Sequence, residues 1–199
     1  MDQVLVAIGR EYGSGGHEIG EKLSKKLGIG FYDRNMLDEM FAHKSNAELE
    51  KYEERKSLPF TTRHIRGYTN SIEENLAEAQ FDFIRGKAIM GDSFVIVGRC
   101  GESVLKDFDG LVSIFVIDDL MHKIERIRDM FNLDEKAAFN KISRHDKARK
   151  QYHNMYADYK WGDSRGYDLC INSGRFGVDG TVDFLYEYVN RCKEAYDRN

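Results

Sequence analysis

Val4-Leu5-Val6-Ala7-Ile8-Gly9-Arg10-Glu11-Tyr12-Gly13-Ser14-Gly15-Gly16-His17-Glu18 is the stretch that decides the fold. Its first five residues are continuously apolar and rich in β-branched side chains, the pattern of a strand buried on both faces of a parallel sheet. Glycines at 9, 13, 15 and 16 follow. Beyond them Ile19, Leu23 and Leu27 recur every four residues, marking one face of a helix, and Gly28 is placed to stop it. The unit reads as strand, glycine turn, helix.

The same reading extends to the rest of the chain. Ile29–Tyr32 predicts a short strand ending at Asp33, and residues 34–43 a helix. The polar stretch 44–70 holds the one proline, Pro59, and the basic residues Arg55, Lys56, Arg63 and Arg66; it reads as an irregular or acceptor-side insertion. Ile72, Leu76, Ala79 and Phe83 predict a long helix reaching about Met90. Apolar runs at Phe94–Val97, Leu111–Ile117 and Leu169–Ile171 predict three more strands. Charged helices are expected over 119–130 and from Asp134 to about Tyr159, and a C-terminal helix carries Val182, Leu185, Val189, Cys192 and Tyr196. Five strands alternating with helices imply an α/β fold, a doubly wound and mostly parallel sheet with helices on both faces. In such sheets ligands bind beyond the carboxyl ends of the strands, here Gly9, Asp33, Arg99, Asp118 and Asn172.

The bulk numbers suit one domain of 199 residues, with a full core and room for a small lid. Net charge is 30 − 34 = −4, which disfavours a general nucleic-acid binder. Cys100, Cys170 and Cys192 have no spacing of a zinc site or disulfide framework, and the six histidines show no metal-ligand spacing. No signal peptide and no apolar stretch of transmembrane length is visible, so a reducing, cytoplasmic setting with no membrane partner is expected. Whether the chain forms a homo-oligomer is left open.

A glycine turn between a buried strand and a helix is a place for phosphate. Backbone N–H groups point inward, glycines permit positive φ, and the helix N-terminus favours negative charge. The bland alternative is a tight turn with no ligand. The usual phosphate loop ends in Lys then Ser or Thr, the lysine meeting the β and γ phosphates and the hydroxyl holding magnesium. Here Gly16 stands at the lysine and Glu18 near the hydroxyl. Arg10, His17 or Lys22 are the candidates to supply the missing charge. Glu18 is a candidate magnesium ligand or simply a favourable carboxylate in a first helical turn.

Gly9-Arg10-Glu11-Tyr12-Gly13-Ser14-Gly15-Gly16, Leu27-Gly28-x-x-Phe31-Tyr32-Asp33 and Val97-Gly98-Arg99 together resemble the cytidylate kinase-like family. Lys123-x-x-Arg126, Asp146-x-x-Arg149-x-x-Tyr152 and Tyr167-Asp168-Leu169-x-Ile171-Asn172 continue the match through the chain. The resemblance implies a P-loop-type sheet with a helical lid over about 134–161, and ATP-dependent phosphoryl transfer to a nucleoside monophosphate such as CMP. It implies ATP and Mg2+ as cofactors. Gly9, Arg10, Gly13, Ser14, Gly15, Gly16, His17 and Glu18 would form the donor-phosphate site. Asp33, Arg34 and Arg99 would meet the acceptor. Arg99 and the lid residues Arg144 and Arg149 would neutralise charge during transfer.

Three assignments have bland counterparts. Arg99 suits a phosphate or a structural carboxylate, Asp33 an acceptor, a magnesium-bound water or an N-cap, and the lid cluster a closing lid or a solvated face. The family's usual acceptor-binding pattern is replaced here by Asp33-Arg34-Asn35-Met36-Leu37. The rival function is a nucleotide or phospho-metabolite sensor that transfers nothing, motivated by the missing lysine. A kinase for some other small acceptor is a third reading.

Overall fold

The computed structural model describes residues 3–41 and 72–196, so the insertion expected at 44–70 lies outside the described residues. The strands are β1 (Leu5–Arg10), β2 (Gly30–Asp33), β3 (Phe94–Val97), β4 (Leu111–Ile117) and β5 (Leu169–Asn172). All pair in parallel, in the order β2-β3-β1-β4-β5. The chain winds outward from β1 in both directions, so the sheet is the expected doubly wound one.

The helices are α1 (Gly16–Leu27), α2 (Arg34–Phe41), α3 (Ile72–Ile89), α4 (Gly101–Val104), α5 (Leu120–Phe131), α6 (Glu135–Tyr156) and α7 (Gly177–Tyr196). Alternation along β1 and β3 sends side chains to two cores. Val6, Ile8, Val95 and Val97 pack with Ile19 and Leu23 of α1 and Val182, Leu185 and Val189 of α7. Leu5, Ala7, Phe94 and Ile96 pack with Leu37 of α2 and Phe81 and Ile84 of α3. That two-sided burial is why β1 and β3 read as unbroken apolar runs.

Helix α1 ends at Gly28, which adopts φ 69° and returns its N–H to the carbonyls of Ser24 and Lys25. Helix α4 has four residues and follows a left-handed pair, Arg99 and Cys100 (φ 56° and 51°). Four residues are too few to carry a helical period, so it is absent from the expected elements. None of the helices among the described residues is long and apolar enough to cross a membrane.

Candidate functional site

Strand β1 delivers the chain to the turn. Glu11 N–H still donates to Val116 O (3.0 Å), extending the β4 register, and Tyr12 N–H leaves the sheet to donate to Asp146 Oδ1 of α6 (2.7 Å). Gly13 and Gly15 then adopt φ 91° and 74°, a left-handed geometry that glycine reaches without strain. Gly15 stands at the N-cap of α1 with no side-chain cap. The N–H groups of Gly13, Gly15, Gly16, His17 and Glu18 donate to no described residue. Five main-chain donors at one helix N-terminus are thus available to an outside anion. Ser14 lies the other way: it is buried, its Oγ donates to Glu11 O (2.9 Å), and its carbonyl accepts from Ser173 Oγ (2.7 Å).

Arginines gather beside this turn. A Cβ at Gly16 would sit 2.6 Å from Arg10 Cβ and 3.0 Å from its Cγ, so the Arg10 stem fills the space of a side chain at 16. The Arg10 guanidinium lies against Gly98 at the end of β3, where it would collide with any Cβ. Its pKa is pulled down to about 9, by burial first and then by Arg149, with Asp33 opposing and Arg99 and Arg34 adding to the fall. An arginine remains protonated at neutral pH, so the shift marks a charge poorly met by its surroundings.

Helix α6 crosses the turn at Tyr12. The Tyr12 ring stacks on His145 with centroids 4.2 Å apart and planes at 8°, and the Arg149 guanidinium lies 5.2 Å from the ring centroid. Arg149 Nη1 also donates to Arg10 O (3.2 Å), and burial lowers its pKa. Arg144, one turn earlier, is exposed. Burial, partly offset by the Tyr12 N–H, raises the Asp146 pKa. A raised folded-state value gives stability that is present below the ordinary carboxylate range and lost as pH rises through it. Asp146→Asn keeps an oxygen for Tyr12 N–H without the buried charge. Its melting temperature relative to the wild type should therefore climb as pH rises above the ordinary carboxylate range; a constant difference would contradict this reading.

The remaining expected residues divide in two groups. His17 Nε2 lies 2.7 Å from Asp33 Oδ2, and Asp33 Oδ1 accepts from Met36 N–H (2.8 Å), so one buried carboxylate both caps α2 and holds the imidazole. His17 is about half exposed, beside the unengaged amides. Arg99 is committed to a carboxylate: Nη2 donates to Asp38 Oδ1 (2.5 Å) and its guanidinium lies over Tyr152 (5.1 Å). Arg34 is exposed and donates to the other Asp38 oxygen (3.1 Å). Gly9 backs onto Phe115 and Tyr167, which leave no room for a Cβ.

Two basic residues near the turn were left without a role by the sequence. Arg126 bonds Glu18 and lies 3.4 Å from where a Gly15 Cβ would stand, and Lys123 bonds Glu11 (2.7 Å) under Gly13. Their i, i+3 spacing on α5 was the available sign. The buried Cys100 thiol is pushed up by burial and is inert.

A protein-held magnesium does not fit these residues. Glu18, the carboxylate near the usual hydroxyl position, is engaged by Arg126 and by Lys22 (3.0 Å). The end of β3 carries Gly98 and Arg99 rather than an acid, and no group of three His, Cys, Asp or Glu side chains suited to a metal occurs among the described residues. A separate cleft of about 290 Å³, lined in part by Ser103, Lys106, Asp158 and Arg165, lies away from the glycine turn.

A parallel sheet wound from β1, with an open glycine turn at the start of α1, defines a P-loop kinase fold. The chain belongs to the cytidylate kinase-like family, whose model matches residues 5–175. The crystal structure of an uncharacterised protein from Eubacterium ventriosum is similar, at 37% identity over 94% of this chain and 99% of that one, with a TM-score of 0.76. The fold is shared with a gluconokinase from Sinorhizobium meliloti (12% identity, TM-score 0.58, 98% and 97% covered). It is also shared with a shikimate kinase from Bacteroides thetaiotaomicron (15%, 0.54, 94% and 98% covered). Over 104 residues, 51% of this chain, it is 32% identical to a uronate isomerase of Corynebacterium glutamicum, and it spans 20% of that protein's length.

Proposed function

We propose that the chain transfers the γ-phosphoryl group of ATP to a small acceptor, with a nucleoside monophosphate such as CMP as the first acceptor class. The observation that carries this is the row of unengaged N–H groups at Gly13, Gly15, Gly16, His17 and Glu18, set beside a group of arginines. The amides hold the donor phosphates. Arg149, reaching in from α6, neutralises charge on the moving group; Arg99, after β3, joins it by exchanging Asp38 for phosphate, with Arg144 and Arg34 at the rim. Such transfer needs no covalent intermediate, because position and electrostatics supply most of the acceleration. Magnesium belongs to this proposal as a companion of ATP, carried on the nucleotide's own phosphates.

A second reading, a hydroxyl acceptor, is favoured by the His17–Asp33 pair. A phosphate monoester is already an anion at neutral pH, whereas a hydroxyl must lose a proton. An imidazole held at 2.7 Å by a buried carboxylate is suited to take it. His17→Ala should lower turnover about 10²–10⁴-fold with a hydroxyl acceptor and change it little with a monophosphate.

A direct assay of ADP formation with ATP and magnesium, over nucleoside monophosphates and small sugar-like hydroxyl compounds, tests the proposal. Product from a monophosphate supports the first reading, and product from a hydroxyl compound the second. Thermal stabilisation by nucleotide with no product from any acceptor would replace both with a sensor. Neither stabilisation nor product would end all three.

A further inference from the structure

We propose that Arg10 supplies, from beneath the loop, the cation that a lysine at position 16 and a protein-seated magnesium supply elsewhere, so that polyphosphate binds this turn without a divalent metal. The inference rests on the phosphate-binding reading above and deepens it.

Three candidates were available for the missing charge, and two are spent. Lys22 Nζ is bonded to Asp179 of α7 (2.7 Å) and to Glu18 (3.0 Å). His17 is bonded to Asp33. Arg10 alone of the three meets no carboxylate among the described residues, and its buried Nε–H has no hydrogen-bond partner. A buried donor on a cation without an acceptor is costly, and a bound anion is a partner that would complete it; Arg99 Nε is orphaned too, but its guanidinium already holds Asp38.

The surroundings of Arg10 are built to hold it in place. Gly16 leaves room for its stem, with Val116 Cβ 3.4 Å from where the Gly16 Cβ would be, and Gly98, at φ 82°, leaves room for its guanidinium. Two absent side chains, on different elements, therefore make room for one arginine, which reaches from the end of β1, past the first residue of α1, to the glycine that follows β3. Arg149 Nη1 donates to the Arg10 carbonyl. Asp33, the carboxylate whose charge acts on Arg10, is occupied by His17 and by Met36 N–H. Like charges at Arg99, Arg34 and Arg149 deepen the local positive potential, which only an anion relieves.

The test uses the full chain and inorganic pyrophosphate, titrated calorimetrically in EDTA and again with magnesium. Wild type should bind in EDTA within about tenfold of its affinity in magnesium. Arg10→Gln should weaken binding in EDTA about 10–100-fold, as expected for lost charged hydrogen bonds. Its unliganded melting temperature should not fall, because an unmet charge has been removed. Arg10→Lys should recover part of the affinity, and Arg85→Gln, on the far helix α3, should match wild type.

In the unaltered protein, the Arg10 Nε–H NMR signal should shift on adding pyrophosphate in EDTA, a readout that survives if Arg10→Gln does not fold. Wild type that binds only with magnesium, an Arg10→Gln variant that binds as well as wild type, or an unmoved Nε–H signal would each overturn the assignment of Arg10 while leaving the kinase reading intact. A wild type that binds neither pyrophosphate nor ATP, with or without metal, would overturn both.

Discussion

Installing the lysine that this loop lacks is expected to damage it. Gly16→Lys restores the lysine of the ordinary phosphate loop, yet its Cβ would stand 2.6 Å from Arg10 Cβ and 3.0 Å from Arg10 Cγ. These are atoms of a packed stem near the backbone, so relief requires the first turn of α1 to move away from β1. Overpacking of this kind costs about 1–3 kcal/mol, a fall of roughly 2–12 °C in melting temperature for a chain of this size. Movement of that turn also misaligns the amides of Gly15, Gly16, His17 and Glu18. Losing two charge-assisted bonds to phosphate should weaken ATP binding by about 10²–10⁴-fold. Melting curves and ATP titration on the purified variant check both parts. A stable variant that binds ATP more tightly would mean that Arg10 does not fill the lysine's place.

Arg149→Ala is expected to cost turnover heavily with any acceptor while leaving the fold standing. Arg149 sits between the Tyr12 ring and the Arg10 carbonyl, and burial holds its pKa down. A cation brought to the transferring group is worth about 10³–10⁵ in rate where it has been removed from comparable sites. We expect a loss of about 10³-fold in kcat, with a smaller change in KM for ATP. Arg144→Ala, at an exposed position on the same helix, should cost much less. Equal losses at the two positions would indicate a general field from α6 rather than one placed guanidinium.

The fold was readable because its strands are short, apolar and bounded by turn residues. Leu5–Ile8 and Phe94–Val97 are buried on both faces, and such strands leave no alternation to be confused with a helix. The first helix was readable to its last residue, since Leu27 closes the apolar face and Gly28 takes the left-handed cap. Helix α4 was not, because four residues after a left-handed pair carry no period.

The site was readable where the backbone makes it and obscure where side chains do. Glycines at 13 and 15 announce positive φ, and that is what they adopt. Nothing in the sequence separates Arg10, His17 and Lys22 as replacements for the lysine; packing does, by giving His17 to Asp33 and Lys22 to Asp179 and Glu18. The clearest overlooked sign was a pair of glycines, Gly16 and Gly98, distant in sequence and both facing residue 10. Likewise Arg99 was placed at the strand end correctly, but its partner Asp38 lies on a different element, and only the folded chain brings them together.

The open amides of the glycine turn are tested directly by a backbone amide NMR titration with ATP. The signals of Gly13, Gly15, Gly16, His17 and Glu18 should move together and saturate with one dissociation constant. If those five stay still while ATP shifts residues around Ser103, Lys106, Asp158 and Arg165, or shifts none, the turn is no phosphate cradle.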